Sequence, residues 1–381
     1  MFLFSLPFAA VGVGATIWVW RDVLRSREIL TTWQPVPATI EKTDLEHHRG
    51  SKGGTTYETT AVYSYVVSGK TYRSEKLGLS SGADNIGHYH ENLYRELKAD
   101  EASQKTVTCY VNPADPTQAI LRPAWRPEMA LFKSLFGLVF SAVGLGLMAG
   151  TIVGAFGQSA QSRLKTRYPQ QPWLWRAEWQ TPVLRARLGK RMATAAAALV
   201  IIHAATGPLW SALPAAWESS GAFKWVLSGM LALVLVLSAF CVRVILHGRK
   251  FGSSRLELDK LLLAPGSLCN TRLYLPHTIP LGATVELMLV CSHSVTTGSG
   301  KQRRTNTTKV WTHREAATGL IGPWQAIPFS CRVPADVPVT TLDSTNDVHT
   351  WTFEAKADVP GVDLNLKFEL PVFATGARVT S

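Results

Sequence analysis

Four long apolar runs constrain this chain more than any other feature. Met1–Trp20, Leu135–Phe156 and Met192–Trp210 hold no Asp, Glu, Lys or Arg, and Trp225–Leu246 holds only Arg243. Each is close to the ~20 residues an α-helix needs to cross a ~30 Å hydrocarbon layer. A hydrophobic fraction of 46% against 17% charged residues reflects those runs, because the stretches between them read as ordinary globular sequence. The expected fold class is therefore an α+β membrane protein. It has about four transmembrane helices, a small β-rich module between helices 1 and 2, and a C-terminal antiparallel β-sandwich.

The first run ends in Trp18 and Trp20 and is followed by Arg21, Arg25 and Arg27. A cleaved signal peptide would place positive charge before the apolar stretch and a small-residue cleavage site after it, so a retained helix is the better reading. Orientation follows from charge. The segment between the second and third runs carries basic residues from Arg163 to Arg191 against the single acid Glu178, which predicts a cytoplasmic loop. The fourth run ends beside Arg249 and Lys250, also inside, so the module after helix 1 is expected outside and the C-terminal domain in the cytoplasm. Arg21, Arg25 and Arg27 oppose this, but they head a long loop, where the charge rule weakens.

Two features of these segments suggest contacts. Trp173, Trp175 and Trp179 are interleaved with Arg176, and indoles favour the headgroup zone, so this group is expected along the membrane interface, with a partner-docking segment as the alternative. Gly146, Gly150 and Gly154 recur every four residues, which puts them on one helix face suited to close packing, including a homo-oligomer through the second span. His203, inside the third run, finds no acidic partner in another span, which argues against a proton relay.

The net charge of +12 would suit nucleic acid on a soluble protein, but here it collects beside apolar runs and no nucleic-acid module accompanies it. No nucleic-acid partner is expected; the lipid bilayer and an unknown protein partner are. The five cysteines, Cys109, Cys241, Cys269, Cys291 and Cys331, form no CxxC and read as small buried hydrophobes.

Between Trp33 and Trp125 the pattern changes to short strands: Ala38–Thr43, Thr56–Val67, Lys70–Leu79 and Thr106–Tyr110, with a hairpin turn at Ser68-Gly69-Lys70 and an amphipathic helix over about Ile86–Asp100. Asn112-Pro113 and Asp115-Pro116 read as turns. His47, His48, His88 and His90 lack the spacing of a metal site, and no metal or cofactor is expected.

Three groups of residues in this stretch resemble those of the DUF3592 bacterial membrane proteins, a family of unknown function. They are Ala38-Thr39-Ile40, then Tyr63-Ser64-Tyr65 with Gly69-Lys70-Thr71-Tyr72, and finally Val107-Thr108-Cys109-Tyr110-Val111-Asn112-Pro113 with Asp115-Pro116. The likeness covers about residues 33–156. It implies a small β module set between helices of a bacterial inner membrane, and no activity.

From Ser254 to Phe373 apolar residues alternate in strand fashion, as in Leu256-Glu257-Leu258, Thr284–Val290, His349–Lys356 and Asp363–Val372, with turns at Pro265-Gly266 and Pro360-Gly361. The ending, with Ile327-Pro328-Phe329 and Val333-Pro334 before it, is similar to half of an arrestin-like sandwich, which implies protein binding. Ser292–Thr308 reads as a hairpin tip bearing Lys301, Arg303 and Arg304.

The expected layout is helix 1 over 1–20, the β module over 33–125, helix 2 over 135–156, the basic Trp-rich loop over 158–191, helix 3 over 192–210, helix 4 over 225–246 and the sandwich over 254–373. No GxSxG, Walker loop, HExxH or paired carboxylate in an apolar setting is present, so no catalytic residue is proposed. The expected role is a membrane-anchored interaction or scaffold protein. The alternative, a transporter or channel accessory subunit, would want polar residues lining the spans.

Overall fold

The computed structural model describes residues 2–50, 53–79, 82–218, 223–298, 302–342 and 346–374. Lys301 and the tip around residues 299–301 lie outside them, as do the side chain of Glu218 and residues 219–222 in the expected turn between helices 3 and 4. The chain divides into two compact units, Met1–Ala149 with Val200–Val236, and Gly150–Leu199 with Leu237–Ser381.

Among the described residues, four helices are long and apolar enough to cross a membrane: α1 (Phe2–Thr32), α3 (Pro127–Arg167), α4 (Gly189–Trp210) and α6 (Phe223–Phe251), with the short α5 (Leu213–Glu218) between the last two. Three of them outrun the apolar stretches that announce them. α1 continues through Arg21, Arg25 and Arg27 instead of stopping at Trp20, because its last turns find protein to pack on: Ile29 joins a cluster with Trp33 and Ile120. α3 has 41 residues where the apolar run has about half as many, since hydropathy marks only the stretch able to sit in lipid while the helix carries on at both ends.

In the first unit, a five-stranded antiparallel sheet runs in the order β3-β2-β1-β4-β5, with β1 at Gln34–Arg49, β2 at Thr55–Val67, β3 at Lys70–Ser74, β4 at Val107–Asn112 and β5 at Asp115–Ile120. The β2–β3 hairpin closes through Ser68 and Gly69 at φ of 49° and 78°, the doubly left-handed turn whose twist matches the strands it joins. Asn112 Oδ1 accepts from the Ala114 N–H at 3.0 Å, so Asn112-Pro113 enters a turn, whereas Asp115-Pro116, expected as a second turn, already opens β5, with Asp115 Oδ1 accepting from the Thr117 N–H at 3.1 Å. α2 (Tyr89–Ala102) lays Leu93 and Leu97 on the sheet face that carries Val36, Ala38, Ile40, Tyr63 and Tyr65.

Two four-stranded antiparallel sheets make up most of the second unit. One runs β10-β9-β12-β13 and the other β11-β8-β7-β6. Their strands are β6 (Val183–Arg185), β7 (Arg255–Leu258), β8 (Leu268–Tyr274), β9 (Val285–Thr297), β10 (Arg304–Ala317), β11 (Ala326–Arg332), β12 (Asp347–Ala357) and β13 (Leu364–Leu370). A single core takes Leu256, Leu273 and Phe329 from one sheet and Leu287, Leu289, Phe353 and Leu366 from the other. At roughly 1.5–3 kcal/mol per fully buried large apolar side chain, this core is what holds the module together. All five cysteines are buried and unpaired by disulfide.

β6 departs from the expected layout. It lies in the segment between α3 and α4 and pairs antiparallel with β7, with Val183 opposite Glu257 and Arg185 opposite Arg255. The stretch expected as a free loop over 158–191 is thus partly the end of α3 and partly a strand of the C-terminal module.

Candidate functional site

The segment from Pro172 to Leu188 builds one edge of the C-terminal module. Two 3-10 turns, Pro172–Leu174 and Ala177–Trp179, set the indoles on the protein side. Trp179 is 1% exposed, and its ring meets Phe373 edge-on at 6.0 Å. Trp173 contacts the same Phe373 at 6.3 Å. Trp175 is buried, donates from Nε1 to the Tyr168 carbonyl at 2.8 Å and lies under Lys165 Nζ at 4.6 Å. Arg176 covers the Trp179 ring at 4.7 Å and forms an ion pair with Glu369. The group expected along the membrane interface is therefore occupied by protein packing. Interface and core indoles look alike in sequence; here the neighbouring strand β13 supplied an apolar partner.

Beside this edge lies a cleft of about 310 Å³ lined by Glu178, Arg185, Arg187, Arg191, Asn365 and Lys367 among others. Arg187 forms an ion pair with Glu178, and Lys367 Nζ sits 2.6 Å from Glu354, whose side chain is 6% exposed. Burial works against the Glu354 carboxylate, but Lys367 and Lys356 outweigh it and hold its carboxyl below the usual range.

The helix-packing glycines also differ from expectation. A Cβ at Gly146, Gly150 or Gly154 would meet nothing within 4 Å. The close approach lies on the opposite face of α3, where a Cβ on Gly144 would come within 2.2 Å of the Ala9 backbone and one on Gly12 within 2.2 Å of the Ser141 backbone. Ser5, Ala9 and Gly12 of α1 and Ser134, Gly137, Ser141 and Gly144 of α3 are all buried, a small-residue seam in which backbones touch. Where this pair of helices nears the β module, Lys133 Nζ lies 3.3 Å from Asp22 Oδ2 and 3.8 Å over the Trp18 ring.

A partly buried polar network ties the β module to α3. Arg126, just before the first residue of α3, holds Asp84 with two hydrogen bonds, Nη1 to Oδ2 at 2.5 Å and Nη2 to Oδ1 at 3.0 Å. The Ile86 N–H donates to Oδ1 as well, at 3.0 Å. His90 Nδ1 accepts from the Thr59 N–H at 3.2 Å, which leaves the proton on Nε2, 3.1 Å from Asp84 Oδ2. The Arg126 guanidinium stacks 3.9 Å over Tyr89. Burial opposes the Asp84 charge, but Arg126, the Ile86 N–H and His90 prevail and keep the carboxyl below its ordinary value. Of the histidines weighed for metal, His90 is spent in this network, His88 pairs with Glu91 at 2.6 Å, and His48 lies 3.6 Å from Glu46.

Residues 36–126 match the model of a domain of unknown function, DUF3592. The matched span takes in the five-stranded sheet, α2 and the Asp84–Arg126 network, and ends at Arg126, where α3 begins. The DUF3592-like module thus includes its own fastening to the next helix. No curated protein sequence matches the chain. The crystal structure of Spo0M, a sporulation control protein from Bacillus subtilis, is similar over 32% of this chain at 16% identity, with a TM-score of 0.24. That match spans 49% of the Spo0M chain, about half its length.

Sequence reasoning missed Asp84 and Arg126, which are 42 residues apart, and a group in the second unit formed by His293, Asp347 and His349, whose donor atoms all lie within 4.8 Å of one another. Neither group leaves a spacing signal. Each is assembled by strands or loops that meet only in the fold.

Proposed function

We propose that this chain is a multi-pass protein of a bacterial inner membrane that presents two β-rich interaction modules, the DUF3592-like module outside and a C-terminal β-sandwich in the cytoplasm, with no catalytic role. The pairing of β6 with β7 supports the topology. It requires the segment between α3 and α4 and the chain after α6 to be on one side of the bilayer, the arrangement that four crossings produce. The basic residues of that segment make the shared side the cytoplasmic one under the positive-inside rule.

The observation that carries the interaction reading is an exposed apolar group on paired loops of the C-terminal module. Ile279 and Ile321 exchange backbone hydrogen bonds of 2.9 and 3.2 Å, which joins the β8–β9 loop to the β10–β11 loop. On these loops Leu281 is 79% exposed, Leu320 62% and Trp324 46%. Large side chains held out on a rigid, doubly bonded loop pair suit a protein-binding surface. A photo-crosslinking residue at Leu281 or Leu320, activated in cells, should capture a protein partner, and Leu281→Asp with Leu320→Asp should abolish the capture of that partner from a third position on the same loops. Adducts with lipid alone, or none, would overturn the reading.

A further inference from the structure

The core-facing positions of β9 are Val285, Leu287, Leu289 and Cys291, and those of β12 are Ala357, Ala355, Phe353 and Trp351, all of them buried. Side chains on a strand return to the same face every second residue. The next step on that face is His293 on β9 and His349 on β12, which stand directly opposite each other in the antiparallel register. One step further along β12 is Asp347. Over two successive steps along this face, the apolar side chains that build the core give way to two imidazoles and then a carboxylate.

The rings of His293 and His349 lie 4.2 Å apart with 2° between their planes, and His293 Nε2 is 2.7 Å from Asp347 Oδ1. The backbone beneath them is fastened: the His349 N–H donates to Thr341 Oγ1 at 3.2 Å, and the Thr341 N–H donates to the His349 carbonyl at 3.0 Å. The side chains remain reachable, His293 being 29% and Asp347 65% exposed.

We propose that His293, His349 and Asp347 form a binding site for a divalent transition-metal cation, with Zn²⁺ as the best-fitting ion. Two neutral imidazoles and one carboxylate oxygen are the ligand set that suits zinc and its neighbours; calcium and magnesium ask for oxygen alone. Directly opposed residues on neighbouring strands have Cβ atoms ~5 Å apart, a separation two histidines can span around one ion. With ligand bonds of ~2.0–2.2 Å, the donors must draw in from their present spread by roughly an ångström. That takes only rotation of partly exposed rings and no backbone movement. Three protein ligands leave at least one coordination position for water or for a group from another molecule.

The test uses the full-length chain in detergent micelles, purified without a histidine tag, stripped of metal and titrated with Zn²⁺ by calorimetry, with Co²⁺ absorption as a second readout. One equivalent should bind with micromolar affinity and raise the melting temperature. His349→Phe, which keeps an aromatic ring against His293 but no ligand nitrogen, and His293→Asn should each weaken binding at least about tenfold, a loss of about 1.4 kcal/mol. His277→Asn should leave it unchanged. Metal-free melting curves identify a variant that fails to fold, and Asp347→Asn, at a mostly exposed side chain, then carries the test. No saturable Zn²⁺ binding by the wild-type chain would overturn the proposal. So would equal affinity in the folded ligand variants.

Discussion

The indole Nε1 of Trp179 donates a hydrogen bond of 2.9 Å to the main-chain oxygen of Glu369, 190 residues later in the chain. Glu369 lies on β13, the outer strand of its sheet, where free backbone acceptors invite pairing with another chain. Trp179 satisfies one of them, and Arg176 pairs with the side chain of the same residue. A stretch that looked like membrane-surface sequence is an edge guard for the C-terminal module.

Trp179→Ala should therefore destabilise the module by about 3–5 kcal/mol, the usual cost of deleting a buried aromatic ring. Trp179→Phe keeps most of the packing and should lose about 1 kcal/mol for the missing hydrogen bond. Thermal melting of the purified chain checks both, and the alanine variant should also aggregate more readily because the edge is opened.

The glycine seam divides the glycines of α3 into two classes. Gly144→Leu and Gly12→Leu should each prevent α1 from packing on α3, since a Cβ already meets backbone at 2.2 Å and backbone cannot rotate aside. Gly150→Leu, with nothing within 4 Å, should leave the detergent-solubilised monomer as stable as wild type. Equal losses at all three positions would refute the assignment.

Asp84 gives the DUF3592-like module an acid-sensitive fastening. Its folded pKa lies below its unfolded value, so the stabilisation is complete at neutral pH, begins to fade once pH falls past the ordinary carboxyl range near about 4, and is lost below the folded pKa. Arg126→Ala leaves that carboxylate 16% exposed without its main counter-charge and should cost about 3–5 kcal/mol. Asp84→Asn should flatten the acid limb of the stability profile, measured by denaturation from neutral pH down to below about pH 4.

Sidedness is open to direct labelling. With the five buried cysteines replaced, Ser103→Cys in the DUF3592-like module should react with an impermeant thiol reagent in intact cells, and Thr305→Cys in the C-terminal module should not. The opposite pattern would invert the orientation. Reaction at both would change the number of crossings.

Much of the architecture was legible because it depends on neighbours in sequence. The apolar runs marked the four long helices, and Asn112 and Gly69 announced turns that local geometry alone dictates. Strand alternation located β2, β7, β12 and β13. β5 was passed over because a six-residue strand opening on Asp-Pro has too little alternation to stand out. Gly146, Gly150 and Gly154 share a face, but within the chain α1 packs on the opposite face of α3, through Gly137, Ser141 and Gly144, since spacing groups residues on a face without saying which face a partner meets.

By itself the sequence determined the elements whose free energy is local: which segments are apolar enough for lipid, which alternate as strands and where the chain must turn. Only the tertiary structure decided membership and pairing. It assigned β6 and Trp179 to the C-terminal module, joined Arg126 to Asp84 and set His293 opposite His349. Those choices depend on surfaces brought together across 42 to 190 residues of chain, and contact energies of that kind leave no periodicity in the residues that make them.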